Sequence, residues 1–281
     1  MTESDCGVHE APACDKQVRG GPELPVTPQS SKTPIVLVPG IQGRWEWMRP
    51  AIRALERQHQ VLTFSLGDVR GPDLFDGWTS RIDHLLDTAG HRTAAVVGLS
   101  FGGLVAACYA GRRPDRTSQL VVVASPSPGW RIDDQSVRYA RNPRLSFPLF
   151  AMRAVRRLAP ELSAAMPGLG PKIRFGAGYA VRAIRYPASP RQMADVVDEW
   201  KRTDLTAMVN RVTVPTLVVT GEHNLDLVVP VSSTLEYLTL IPGATHALLA
   251  GTGHLGFLSK PSEFAALVSD FIARGEAPRM S

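Results

Sequence analysis

The chain has 281 residues, 44% of them hydrophobic and 20% charged, a composition that supports a packed core and excludes a coiled coil, a collagen or a wholly disordered polymer. The 31 Lys and Arg against 26 Asp and Glu leave a formal charge of +5, too small to identify an anionic partner until its distribution is known. Cys6, Cys14 and Cys108 are the only cysteines, too few and too scattered for a disulfide framework, so a reducing, cytoplasmic setting is expected.

Residues 1–33 are polar and rich in Gly, Pro, Ser and acidic side chains, and such a segment cannot bury enough apolar surface to offset the entropy of ordering. A loose tail is expected there. Its Cys6, His9 and Cys14 lack the paired spacing of a zinc site, so no metal is expected. Residues 1–33 hold no apolar run of signal-peptide length, so no export signal is expected, and no uninterrupted apolar stretch approaches the roughly 20 residues of a membrane helix.

Order begins at Ile35-Val36-Leu37-Val38, a continuous apolar run closed by Pro39-Gly40, the pattern of a strand buried on both faces. A helix from about Pro50 to Gln58 leads to a second such run, Val61 to Phe64. Ile82, Leu85, Leu86 and Ala89 then recur at helical spacing and the run stops at Gly90, before the strand Ala94 to Val97. A helix from about Phe101 to Arg112 leads into Leu120 to Val123. This strand-helix alternation requires crossover connections, and the expected fold class is α/β with a mostly parallel, doubly wound sheet.

Between Pro126 and Leu217 the rhythm breaks. Apolar-periodic, Arg-rich segments such as Phe150 to Leu158 and Met193 to Met208 are separated by Pro and Gly clusters, which predicts a helical insertion over 126–212. Thr216 to Thr220 restores the sheet, followed by a helix near Val231 to Leu240, a strand from Ala244 to Leu249 and a closing amphipathic helix from Ser262 to Arg274. The expected organisation is a tail at 1–33, a core from 34–125 and 213–281, and a helical cap at 126–212.

The chemistry is concentrated in Gly98-Leu99-Ser100-Phe101-Gly102, directly after a buried strand and directly before a helix. In that context the string is a nucleophile elbow: the serine occupies a strained turn with its hydroxyl above the sheet, and side chains at the flanking glycines would strike neighbouring backbone. A serine hydroxyl needs a base, and the base needs a group to orient it. His254, in the loop Gly251-Thr252-Gly253-His254 after the last strand, is the candidate base. His246 is its rival, but it lies inside a strand pattern and is expected to pack against the sheet. Asp226, in the turn after the strand ending at Thr220, is the candidate acid, with Glu222 as runner-up. The developing oxyanion requires two amide donors, assigned to Phe101 and to Ile41 in the loop Pro39-Gly40-Ile41-Gln42-Gly43. Trp45, Trp47, Phe147, Phe150 and Met152 are candidate pocket walls. The cluster Arg153, Arg156 and Arg157 is read first as a solvated helix face.

With these residues in hand, the chain from Pro34 to Arg274 resembles an α/β-hydrolase fold enzyme with a helical cap. Ser100, Asp226 and His254 follow the Ser, acid, His order of that fold. Gly98 to Gly103, the segment Arg112 to Arg116, and the Gly-His loop followed by Pro261 and Phe264 are similar to the family as well. The chain departs from it in Pro39-Gly40, where the family's oxyanion loop usually begins His-Gly. At the acid turn Asn224 stands where the family's aspartate is usual, and Asp226 takes its place when counted back from Pro230. The family's Asp-x-Arg-Gly-x-Gly turn is reduced to Gly67 through Pro72.

A serine nucleophile disfavours the dehalogenase and epoxide hydrolase chemistries that resemble this pattern with aspartate at the elbow. The resemblance implies a cofactor-free serine hydrolase acting on an ester, thioester, lactone or related small carbonyl substrate through an acyl-serine. Carbon-carbon bond hydrolysis, cofactor-free haloperoxidation and a slow or non-turning-over small-molecule receptor remain as alternatives on the same triad. The charge also divides: residues 126–212 hold 15 Lys and Arg against 7 Asp and Glu, whereas the tail and core are slightly acidic. That distribution argues against a generally nucleic-acid-binding surface and confines any anionic partner to the entrance of the pocket, where a small carbonyl substrate, acidic or apolar, is expected.

Overall fold

The apolar runs form six strands: β1 (Pro34–Val38), β2 (Gln60–Thr63), β3 (Ala94–Leu99), β4 (Thr117–Val123), β5 (Thr216–Thr220) and β6 (Thr245–Leu248). In this computed structural model residues 32–130, 152 and 156–276 are described. The strands make one sheet in the order β2-β1-β3-β4-β5-β6, with each neighbouring pair parallel. Ten labelled helices among the described residues accompany it: α1 (Arg49–Leu55), α2 (Leu74–Thr88), α3 (Phe101–Arg112), α4 (Leu169–Arg185), α5 (Pro190–Arg202), α6 (Leu205–Val209), α7 (Val231–Leu235), α8 (Tyr237–Leu240), α9 (Gly256–Ser259) and α10 (Pro261–Glu276).

The strands read as continuous apolar runs because both faces of the sheet are covered. Successive side chains alternate between faces. On β3, Ala94 and Val96 join the core made with α2 and α3, while Ala95, Val97 and Leu99 join the core made with α1 and α10. On β4, Leu120 and Val122 point one way and Val121 and Val123 the other. Each fully buried Val, Leu or Ile contributes about 1.5–3 kcal/mol, so the central strands β3 and β4 are where the sheet is anchored.

The edges differ. β6 has one neighbour and three of its four residues are exposed, so His246, expected to pack against the sheet, is open to solvent and bonds Thr220 Oγ1 at 2.8 Å. The expected helix from Val231 to Leu240 is α7 and α8, which meet at Glu236. Its backbone stays right-handed helical (φ −59°, ψ −25°), and Glu236 and Thr239 donate to carbonyls three residues back, so the path tightens without breaking.

Where described, the connection from β4 to β5 holds helix and no strand: a helical run at 156–165, then α4, α5 and α6. Arg156 and Arg157 are exposed on that run, as a solvated face requires, and Arg153 lies outside the described residues. The Cys6, His9 and Cys14 group lies outside the described residues. Cys108 is buried in α3, and burial pushes its thiol up to about 12. No described helix is long and apolar enough to cross a membrane.

The topology fixes where a site can form. From β1 the chain moves out to β2, whereas β3 lies on the opposite side of β1. Loops leaving the carboxyl ends of β1 and β3 therefore diverge, and the crevice between them is the usual ligand position in an open parallel sheet. Val38 is in register with Gly98, Leu99 with Val123, and Val123 with Val219, so the ends of these strands share one edge.

β3 turns into α3 without spare volume. A Cβ on Gly98 would overlap the Gly102 carbonyl and lie 2.6 Å from Gly103 Cα, and one on Gly102 would strike the carbonyls of Val38 and Pro39. Gly98→Ala is expected to cost about 1–3 kcal/mol by overpacking, measured by denaturant unfolding. Gly176→Ala is the matched control, since nothing lies within 4 Å of that position in α4 and alanine favours helix by about 1 kcal/mol. Equal stability of Gly98→Ala and wild type would contradict the packing argument.

Candidate active site

Ser100 stands between β3 and α3 with φ 53° and ψ −128°, one of two non-glycine residues with positive φ among the described residues. Such a conformation costs about 1–3 kcal/mol and persists only where the surroundings impose it. The Ser100 amide donates to Val123 O at 2.8 Å and its carbonyl accepts from Gly103 N at 2.8 Å, so strand and helix hold the turn from both sides. The side chain caps nothing in α3. Its hydroxyl instead meets His254.

His254 lies between β6 and α9 and is buried. Its Nε2 is 3.0 Å from Ser100 Oγ, and its Nδ1 is 3.3 Å from Asp226 Oδ2. Asp226, also buried, accepts from the amides of Val228 and Val229 through Oδ1 at 3.0 and 2.9 Å, which leaves Oδ2 for the histidine. The arrangement sets the tautomer: Nδ1–H donates to Asp226, and Nε2 accepts from the Ser100 hydroxyl. Burial pulls the His254 pKa down, but the charge and hydrogen bond of Asp226, with the charge of Glu161, outweigh it and raise it above 6.5.

Glu222, the runner-up acid, is engaged elsewhere. Its Oε1 accepts from Gly251 N at 2.6 Å, and its amide donates to Thr252 O at 2.7 Å, so it braces the loop carrying His254. The short spacing from β5 keeps it beside that loop, whereas four further residues carry Asp226 to the imidazole.

The loop after β1 crosses directly over the elbow. A Cβ on Gly40 would be 3.3 Å from Ser100 Cβ and 3.5 Å from Leu99 O, and Gly43 N closes a turn onto Gly40 O at 2.8 Å. Ile41 is the first residue inside that turn. Phe101 is the first residue of α3, where an amide has no partner within the helix. The two amides assigned to the oxyanion thus flank Ser100 on the loops from β1 and β3.

Trp45 and Trp47 fall on a short 3-10 helix, Trp45–Met48. Trp47 donates from Nε1 to Tyr186 O at 2.9 Å and meets the Tyr179 ring edge-on at 4.9 Å, while Arg49 lies over Trp45 at 5.3 Å. These contacts join the core to α4 and its C-terminus; none is with Ser100 or His254. Phe147 and Phe150 lie outside the described residues, and Met152 is exposed.

Two features were not read from the sequence. An aromatic series runs from the core into the segment between β4 and β5: Trp78 to Phe101 at 5.7 Å, Phe101 to Trp200 at 5.5 Å, and Trp200 to Trp130 at 5.6 Å. Ile41 packs against the same cluster. The second is Glu161, fully buried although it sits in an Arg-rich helical run, with Oε1 accepting from Leu255 N at 2.7 Å. The apolar spacing of α5 could have singled out Trp200; nothing local in the sequence marks Glu161.

A family model described as the alpha/beta hydrolase family matches residues 35–267. A polyketide synthase of Burkholderia thailandensis, ThaQ, is 28% identical over 85% of this chain, which spans 12% of ThaQ's length. A 2-hydroxymuconate semialdehyde hydrolase of Pseudomonas putida is 28% identical over 71% of this chain and 69% of its own. An enol-lactonase structure from Burkholderia xenovorans LB400 superposes with a TM-score of 0.69 at 21% identity, over 87% of this chain and 92% of that one. The matched span takes in both the Ser100 elbow and the His254 loop: the chain belongs to the alpha/beta hydrolase family and is a hydrolase.

Proposed function

We propose that the protein hydrolyses an ester, thioester or lactone through an acyl-Ser100 intermediate, with residues 126–212 as the cap over the site. The observation that carries this reading is the continuous relay from Ser100 Oγ through His254 to Asp226, at 3.0 and 3.3 Å, built on a positive-φ elbow. Attack by Oγ on the carbonyl carbon transfers its proton to His254 Nε2, and the negative charge gathers on the carbonyl oxygen, where the amides of Ile41 and Phe101 stabilise it. Asp226 stabilises the imidazolium so formed. Collapse of the tetrahedral adduct breaks the bond to the leaving group, which takes the proton from Nε2. His254 then accepts a proton from water as the water oxygen attacks the acyl carbon, and collapse of this second adduct breaks the bond to Oγ, which takes that proton back from Nε2 as the carboxylic acid departs. Each oxyanion donor of this type is worth about 3–4 kcal/mol.

Serine at the elbow is what separates this reading from fold relatives with an aspartate nucleophile. The lactonase likeness and the semialdehyde hydrolase relative support a small carbonyl substrate. Trp130 and Trp200 are linked through Phe101 to the elbow, an aromatic cluster directly beside Ser100.

A fluorophosphonate probe is expected to label the wild type at Ser100, and Ser100→Ala to abolish labelling and lower turnover of a nitrophenyl ester about 10⁴-fold or more. Unlabelled, active wild type would sink the reading. The pH dependence has a definite sign. His254 works as a base only when neutral, and its pKa is raised above 6.5, so kcat/KM should fall about tenfold per pH unit on the acid side with a midpoint above that value. A flat profile from about pH 5 to about pH 8 would rule His254 out as the base.

A further inference from the structure

Glu161 is a buried ionisable group beside the relay that the relay itself does not use. It lies in the helical run 156–165, within the segment between β4 and β5 and 94 residues before the loop it contacts. It is 0% exposed. Its Oε1 accepts from the Leu255 amide at 2.7 Å, and the Gly253 amide also acts favourably on the carboxylate, so Glu161 faces the residues on either side of His254. Its second oxygen, Oε2, is buried without a hydrogen-bond partner.

We propose that Glu161 is a positioning residue for the triad: it grips the amides flanking His254 and sets a second carboxylate beside the imidazole, so that the histidine's place over Ser100 depends on the cap segment being seated. This rests on the serine hydrolase reading of the same site.

The His254 loop is held on its other side by the core alone. Glu222 binds the Gly251 amide, Thr252 Oγ1 donates to Leu249 O at 2.6 Å, and Gly253 packs against Leu225 O and the Asp226 amide. Those contacts fix residues 251–253. The amide of Leu255, beyond the histidine, is held by Glu161.

A loop tie alone does not call for a charge. Glutamine would accept the same two amide hydrogens without burying an ionised oxygen, and an unsatisfied buried polar atom costs about 1–3 kcal/mol. The charged groups that act on Glu161 are His254 and Asp226, and those that act on His254 are Asp226 and Glu161. Burial pushes the Glu161 carboxyl above the ordinary carboxylate range, against the pull of the two amides and His254. The carboxyl is therefore costly to ionise, and it stands next to the one group that becomes positive during turnover.

The test uses the full chain with Glu161→Gln and Glu161→Ala. The His254 ring is titrated by NMR, and the rate of Ser100 labelling by a fluorophosphonate is measured across pH. Glu161→Gln keeps an acceptor for the amides and should lower the His254 midpoint by about one pH unit, an effect that a purely structural tie would not produce. Glu161→Ala should slow labelling about 10- to 100-fold through misplacement of the ring. Coincident His254 midpoints in wild type and Glu161→Gln would overturn the proposal, and that comparison decides the matter even if Glu161→Ala does not fold. Wild type that fails to label while the midpoint still shifts in Glu161→Gln would remove the serine hydrolase reading and leave the Glu161 contact to His254 standing.

Discussion

The site depends on one backbone constraint, the positive-φ turn at Ser100. A serine does not adopt that conformation unaided, and the parts that impose it are the parts that make the fold. β3 must be central, so that Val123 O is available to the Ser100 amide. α3 must start at once, and the end of β1 must press against Gly102. The neighbouring strand end is constrained in the same way: Ala124, φ 45°, follows β4 and precedes the fully buried Ser125. Thr234 Oγ1 donates to Ser125 O at 2.9 Å and Tyr237 Oη to Pro126 O at 2.9 Å, tying that strand end to α7 and α8. These hydrogen bonds tie down the sheet's carboxyl edge beside Ser100.

Electrostatics follows from that geometry. A buried histidine would ordinarily favour the neutral form, and neutral is what a base requires. Yet the imidazolium must be tolerated during the reaction, and Asp226 supplies the compensating charge while its other oxygen is fixed by two amides. With Glu161 on the far side of the loop, the histidine sits between a carboxylate of the core and one of the segment between β4 and β5. Under the Glu161 proposal, binding energy that seated that segment would reach His254 through the hydrogen bond to Leu255 N, a physical route from recognition to catalysis.

The legibility of the sequence tracked burial. β1, β3, β4 and β5 were readable because a strand covered on both faces has no polar phase to confuse its period. Counting back from Pro230, past an Asn224 in the family's usual place, points to Asp226, whose Oδ2 lies 3.3 Å from His254 Nδ1, since the turn's length carries information its local residues do not. The exposure of His246 could not be read, because an edge strand and an inner strand share the same short pattern. Trp47 looked like a pocket wall, but its neighbours Tyr179 and Tyr186 are more than 130 positions away. Glu161 was invisible for a similar reason: a lone acid among arginines reads as solvated, and only the tertiary approach of the 156–165 run to the His254 loop buries it.

The most direct test is to catch the covalent intermediate. A nitrophenyl ester mixed with the protein and quenched in acid within the first turnover should add the mass of its acyl group to the intact chain. Digestion should place that mass on the peptide containing Ser100, and the adduct should decay at the steady-state rate. Turnover that proceeds with no acyl adduct at Ser100, on a time scale fast enough to precede deacylation, would contradict the account.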